Sequence, residues 1–131
     1  MAKNINENIV TVLSGLHPSA RAAECLSYPN VDFVVIGEPE LTVQELAREL
    51  EQGGKNIQQV NGIGYVKNKK VVITSPRPVI QDLDSLPFPA RHLLPMQTYF
   101  EAVKEIPLRG EIRKPWATVV TSRGISFTAS K

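Results

Sequence analysis

Val31-Asp32-Phe33-Val34-Val35-Ile36-Gly37-Glu38-Pro39-Glu40 is an almost unbroken apolar run that ends at a glycine and turns, through a proline, into a helix-forming segment. A strand that is apolar on both faces must be covered on both faces, which is the habit of strands in parallel sheets flanked by helices. The residues on either side agree. Downstream, Val43, Leu46, Ala47 and Leu50 recur at i, i+3, i+4 and i+7 and predict one buried helical stripe. Thr42 and Glu45 stand at capping-box spacing, and Gly53-Gly54 supplies the stop. Upstream, Ile9 to Leu13 is a short β-branched run closed by Ser14-Gly15, and His17-Pro18 leads into the helix-forming stretch Ser19 to Leu26. Pro18 suits the first turn of that helix, where its missing N–H has no intrahelical partner. Tyr28-Pro29-Asn30 then breaks it. Two strand–turn–helix units in succession predict an α/β fold with a parallel sheet.

Beyond the glycines the period shortens. Gly62 to Lys67 and Lys70 to Thr74 are β-rich segments joined by Asn68-Lys69, which predicts a hairpin with a two-residue turn. From Ser75 to Pro95, five prolines prevent regular structure, while Leu83, Leu86, Phe88, Leu93 and Leu94 are interleaved among them. That composition predicts a wrapping linker docked through its apolar residues. A short helix over Met96 to Val103 and a last strand over Trp116 to Thr121 complete the reading. The predicted organisation is an α/β domain with hairpin over 8–75, a proline-rich linker with a short helix over 76–115, and the start of a further domain over 116–131. Two parallel strands are few beside the roughly five or six of a doubly wound sheet. The chain is therefore expected to begin partway through a domain, and its open sheet edge predicts self-association into a homo-oligomer.

Composition narrows the function classes. With 42% hydrophobic and 21% charged residues and a net charge of +2, the sequence has an ordinary globular make-up. Its densest basic run, Lys67 to Lys70, is interrupted by Asn68 and is too small for a nucleic-acid surface. No stretch nears the roughly 18 apolar residues of a membrane span, and Met1 to Asn8 lacks an apolar secretory core, so the expected location is the cytoplasm. The single cysteine, Cys25, sits in an alanine-rich stretch and reads as a buried structural thiol.

Four stretches together carry a family resemblance. Val12-Leu13-Ser14-Gly15-Leu16-His17-Pro18-Ser19-Ala20 resembles the fourth strand and following loop of the cobalamin-binding domain in radical-SAM enzymes, where small residues precede a His-Pro or Pro-His step. Ile36-Gly37-Glu38-Pro39-Glu40 is similar to the next strand's Gly-Glu-Gly-Glu-type loop. Asp82-Leu83-Asp84-Ser85-Leu86-Pro87-Phe88-Pro89-Ala90-Arg91 looks very like the family's linker, and Thr121-Ser122-Arg123-Gly124 resembles the residues just before its C-x-x-x-C-x-x-C motif. Members with this organisation include anaerobic cyclases of magnesium-protoporphyrin monomethyl ester and methyltransferases of unactivated carbon. The resemblance implies a partial Rossmann-like (flavodoxin-like) sheet and a crevice for the nucleotide tail of cobalamin. That crevice would be lined by Ser14, Gly15, Leu16, His17, Gly37 and Glu38 at the carboxyl ends of the two strands, where such folds bind ligands. It also implies a parent enzyme that uses a four-iron cluster and S-adenosylmethionine.

The chain departs from the family at two places. Cysteines would stand at Ile125 and Ala129, with a third one residue past Lys131, and aliphatic side chains cannot donate to iron. No radical activity is therefore expected of this polypeptide. The Asp-x-His-x-x-Gly motif that carries cobalt's lower ligand in many such domains precedes residue 1, so no residue here is assigned to the metal. Glu38 and Glu40 share a loop, yet no histidine, lysine or hydroxyl nucleophile accompanies them at a recognisable spacing, so neither is assigned a catalytic role. Two other readings remain open at this level: a non-catalytic interaction or assembly module that uses the sheet edge, and a flavodoxin-like binder of a small molecule other than cobalamin.

Overall fold

The computed structural model describes residues 2–102, and among them four strands form one sheet in the spatial order β1 (Val12–Leu13), β2 (Phe33–Val35), β3 (Ile63–Lys67) and β4 (Lys70–Ile73). β1 and β2 are parallel, with Val12 opposite Phe33; β3 joins β2 antiparallel, with Phe33 opposite Tyr65; β4 returns antiparallel to β3. Two reversals leave β4 running in the direction of β1 and β2. The expected α/β class and the hairpin are both present, the hairpin as a continuation of the same sheet. Asn68 (φ 50°) and Lys69 (φ 60°) both adopt left-handed backbone, the pairing that matches a two-residue turn to strand twist.

β2 is buried on both faces. Val35 packs with Leu46, Val60, Ile63 and Tyr65 on one side, and Val34 with Cys25 and Leu26 on the other. The helices supplying these side chains are α4 (Pro39–Glu51) on the first face and α3 (Ala22–Cys25) on the second, so the sheet is covered as a Rossmann-like unit is. Cys25 is a buried thiol, as its surroundings suggested. The cross-strand pair Phe33 and Tyr65 stacks with ring centroids 6.1 Å apart.

α4 begins earlier than its capping-box spacing predicts. Glu38 is the N-cap and Pro39 opens the helix, because proline's fixed φ suits a first turn that needs no N–H. Thr42 is therefore inside the helix and fully buried, while Val43 is exposed. The buried face runs through Thr42, Leu46 and the half-buried Leu50, so of the four expected stripe positions Val43 and Ala47 face water. The predicted stop holds in detail: Gly54 N–H donates to Glu49 O (2.8 Å) and Gly53 N–H to Leu50 O (3.0 Å), a Schellman closure.

The segment read as one helix from Ser19 is two short ones, α2 (Leu16–Ala20) and α3, separated at Arg21 (φ −130°). Pro18 does fall in the first turn of α2. β1 is shorter than Ile9 to Leu13 because the Asp32 carboxylate competes for its backbone: it accepts the N–H (2.8 Å) and hydroxyl (2.9 Å) of Thr11 and pairs at 2.8 Å with Lys3 of the short helix α1 (Ala2–Ile5). Burial pushes the Asp32 carboxyl up, but the hydrogen bonds from Lys3 and Thr11 outweigh it and hold it below its ordinary value. Val12 and Leu13 stay 37% and 38% exposed, so β1 is a half-open edge rather than a strand buried on both faces.

The chain divides into two units, Met1–Ser85 and Leu86–Lys131. The described part of the second holds one turn of 3-10 helix at Arg91–Leu93 and α5 (Met96–Ala102), the helix expected from Met96. Of the linker residues expected to dock, Leu83 lies in the first unit and is 39% exposed there. The start of the linker is held instead by Arg77 and Ile80, through polar contacts within the first unit. The strand expected over 116–121 and the positions Ile125 and Ala129 lie outside the described residues. No helix among the described residues is long and apolar enough to cross a membrane.

Candidate functional site

β1, β2 and β4 all end on the same side of the sheet, and the loops that leave them meet there. The turn after β1 and the helix α2 that it opens supply Gly15, Leu16 and Ser19, the loop after β2 supplies Gly37 and Glu38, and the chain after β4 supplies Arg77, Pro78 and Val79. Together they line a cleft of about 380 Å³. Ser19 stitches the first two loops: its hydroxyl donates to Gly15 O (2.7 Å) and accepts the Gly37 N–H (3.0 Å). Gly15 (φ 113°) and Gly37 (φ 83°) hold backbone that side-chain-bearing residues rarely adopt.

The third side of the cleft is fixed by side chains. Arg77 donates through Nε to Thr42 Oγ1 (2.8 Å) and through Nη2 to Glu45 and to Asn61 O (3.4 Å). Glu38 accepts the N–H of Ile80 at 2.9 Å. Gly62 (φ 75°) lets this segment lie close, because a Cβ there would sit 3.3 Å from Arg77 Cβ and 3.2 Å from Ile36 O. Its N–H donates to Ser75 O (2.8 Å), and its carbonyl accepts the Ile36 N–H (2.8 Å).

Four of the six residues singled out from sequence, Gly15, Leu16, Gly37 and Glu38, thus border one cavity. Ser14, in the turn after β1, and His17, in α2, are exposed and do not line it. Ser19, Arg77, Pro78 and Val79 were missed. Ser19 falls in the stretch that carries the family resemblance and at the expected helix start without being singled out as a site residue, and Arg77 lies inside a proline-rich stretch that reads as linker. A lone cation between Pro76 and Pro78, with Thr42 and Glu45 three apart on a helix, was the available clue.

The residues present fit the nucleotide end of a cobalamin in one respect that can be inspected: a Cβ built on Gly15 or Gly37 meets nothing within 4 Å, so a ligand could reach the backbone of both loops. They do not fit an iron–sulfur cluster. The sequence contains one cysteine, and Cys25 is 4% exposed among Leu26 and Val34. No cluster of three or more potential metal ligands occurs among the described residues.

Sequence comparison places these features among known proteins. An uncharacterized methyltransferase of Pyrococcus horikoshii is 39% identical over 97% of this chain and 26% of its own length. The anaerobic magnesium-protoporphyrin IX monomethyl ester cyclase of Rubrivivax gelatinosus is 34% identical over 99% of the chain and 22% of its own length. The cytidylyl-2-hydroxyethylphosphonate methyltransferase of Streptomyces wedmorensis is 30% identical over 77% of the chain and 23% of its own length. No protein-family model and no solved structure matches the chain. It spans about a quarter of the length of these curated relatives. With nearly the whole sequence aligning to such cyclases and methyltransferases, the chain belongs to the cobalamin-binding radical-SAM family.

Proposed function

We propose that this chain contributes the cobalamin crevice of a cyclase- or methyltransferase-type radical-SAM enzyme and has no radical activity of its own. The observation that carries the first half is the convergence of the β1 and β2 loops, joined through Ser19, on one open cleft at the carboxyl ends of parallel strands. Cobalamin would supply the cobalt chemistry; the protein's part here is to seat the nucleotide tail. Gly15 and Gly37 offer close backbone approach, while Leu16, Pro78 and Val79 give apolar walls. Ser14 and His17 would meet the ligand only where it extends beyond the cleft. The second half rests on the donor set, because aliphatic side chains at Ile125 and Ala129 cannot replace thiolates.

Titrating the chain with hydroxocobalamin, followed by visible spectrum and isotherm, is expected to show saturable one-to-one binding. A folded chain without saturable binding would refute the reading and favour a binder of another small molecule. Anaerobic reconstitution with iron and sulfide is expected to yield no four-iron cluster and no reductive cleavage of S-adenosylmethionine. A second role, self-association, is favoured by the half-exposed edge strand β1, and light scattering would show it as a mass above that of the monomer.

A further inference from the structure

We infer that Glu38 and Arg77 are positioning residues that latch the segment 75–80 across the ends of β1, β2 and β4, so that Pro78 and Val79 stand as the outer wall of the cleft. This rests on the cleft being the binding site just described, and it gives Glu38 the task of holding backbone rather than ligand. The segment cannot hold itself in place as a strand would. Pro76 and Pro78 have no N–H, so two of its five consecutive residues from 76 to 80 have no donor for a ladder. Side chains from α4 and its N-cap do the holding. Glu38 takes the Ile80 N–H, and Thr42 and Glu45 take the Arg77 guanidinium, whose side chain is only 18% exposed.

The geometry leaves the middle of the segment facing the cleft. The latched points, Arg77 and Ile80, bracket Pro78 and Val79, and Val79 is 65% exposed beside Gly37 and Gly15 rather than packed in the core. An exposed valine fixed from both sides presents an apolar wall at a set distance from glycine backbone. Such a slot suits a flat, weakly polar ring. Releasing either latch would let the wall swing and would cost affinity; because Glu38 and Arg77 also border the cleft, the comparison of Glu38→Ala with Glu38→Gln separates a loosened wall from a lost charged contact.

The test uses the full 131-residue chain and two readouts: amide hydrogen exchange at Ile80, and affinity for hydroxocobalamin. Glu38→Ala is expected to speed exchange at Ile80 about tenfold, leave Val34 and Val35 unchanged, and weaken hydroxocobalamin binding about tenfold. Glu38→Gln keeps an amide oxygen that accepts the same N–H and should bind within about twofold of the wild type. Arg77→Lys should weaken binding, because one ammonium cannot reproduce the two-nitrogen grip on Thr42 and Glu45. The Glu38 variants decide the matter should an Arg77 variant fail to fold. Unchanged Ile80 exchange in Glu38→Ala overturns the latch. So does faster exchange with unaltered affinity, and so does a Glu38→Gln variant as weak as Glu38→Ala, which would mark the carboxylate as a charged ligand contact. A wild-type chain that did not bind hydroxocobalamin would refute the site's assignment, while exchange at Ile80 would still judge the latch.

Discussion

Gly64 offers the sharpest quantitative test of the packing. It sits in β3 between Val34 and Ile73, with strand-like backbone that any residue can adopt, so its lack of a side chain has to be explained by space. A Cβ at this position would lie 2.8 Å from Ile73 Cδ1 and 3.1 Å from Leu26 Cδ1, where carbon atoms prefer about 3.5–4.0 Å. Ile73 is half exposed and can turn away; Leu26, 5% exposed and packed on Val34, cannot easily do so. Overpacking of this kind costs about 1–3 kcal/mol. Alanine returns about 0.4–1 kcal/mol by restricting the unfolded chain, which leaves a net loss of about 1–2 kcal/mol for Gly64→Ala. In a unit of this size that lowers Tm by roughly 5–15 °C, measurable by thermal or urea unfolding. Ile73→Val removes the atom nearest the new methyl, so the double variant should recover at least about 0.5 kcal/mol relative to additivity. Gly64→Ala as stable as the wild type would refute the close packing over Gly64, and strict additivity with Ile73→Val would refute the share of it assigned to Ile73.

Other consequences follow from the same contacts. Asp32→Asn removes the charge that pairs with Lys3 and is expected to cost about 1–3 kcal/mol at neutral pH in urea unfolding. Because the folded Asp32 pKa is lowered, its stabilisation is present above the ordinary carboxylate pKa and is lost as pH falls through the folded value; acid unfolding of Asp32→Asn should lack that component. Thr42→Val keeps the shape of a fully buried side chain but removes the acceptor of Arg77 Nε, so a loss of about 1–3 kcal/mol is expected, whereas a neutral result would show that Arg77 finds its partner elsewhere. Gly15→Ala and Gly37→Ala meet no steric obstacle, yet each forces alanine into positive-φ backbone at a cost of about 1–3 kcal/mol, and each should weaken hydroxocobalamin binding in the titration.

The parts of the fold legible in the sequence were those where one physical demand acts alone. The run Val31 to Ile36 has no polar competitor on its inner residues, so its burial on both faces followed from composition, and Asn68-Lys69 could do little else than turn. Misreading set in where two local solutions competed. Pro39 offered a better helix start than Thr42, which freed the Thr42 hydroxyl to meet Arg77 thirty-five residues away, a pairing hinted at only by a lone cation between two prolines. Asp32 likewise took the Thr11 N–H from β1, a choice settled by a side chain from the neighbouring strand. The glycine loops of the site were visible because positive φ is written in the residue type. The third wall was hidden because proline-rich sequence announces chiefly what it cannot form, and Arg77 carries no mark of which carboxylate or hydroxyl it meets.

The two ends of the sheet are built for different tasks, and the difference follows from where the polar groups fall. At the end where β2 begins, the Asp32 carboxylate gathers Lys3 and the Thr11 amide and hydroxyl, while Thr11 Oγ1 also bonds Asn30 O. This cluster stabilises the edge strand, and although a cavity of about 480 Å³ lined by Asp32, Phe33 and Tyr65 opens beside it, the Asp32 oxygens are already engaged by Lys3 and Thr11. Where β1, β2 and β4 end, the hydrogen bonds of Ser19, Glu38 and Arg77 join one loop to another around an opening, and none crosses from Gly15 or Gly37 to Val79. Antiparallel entry of β3 is what makes this possible. It brings β4 back in the direction of the parallel pair, so the chain leaving β4 emerges beside the two glycine loops instead of at the Asp32 end. A hairpin that merely extended the sheet would need no such exit; one that delivers Arg77 to Thr42 and Glu45 converts an open sheet end into a walled cleft.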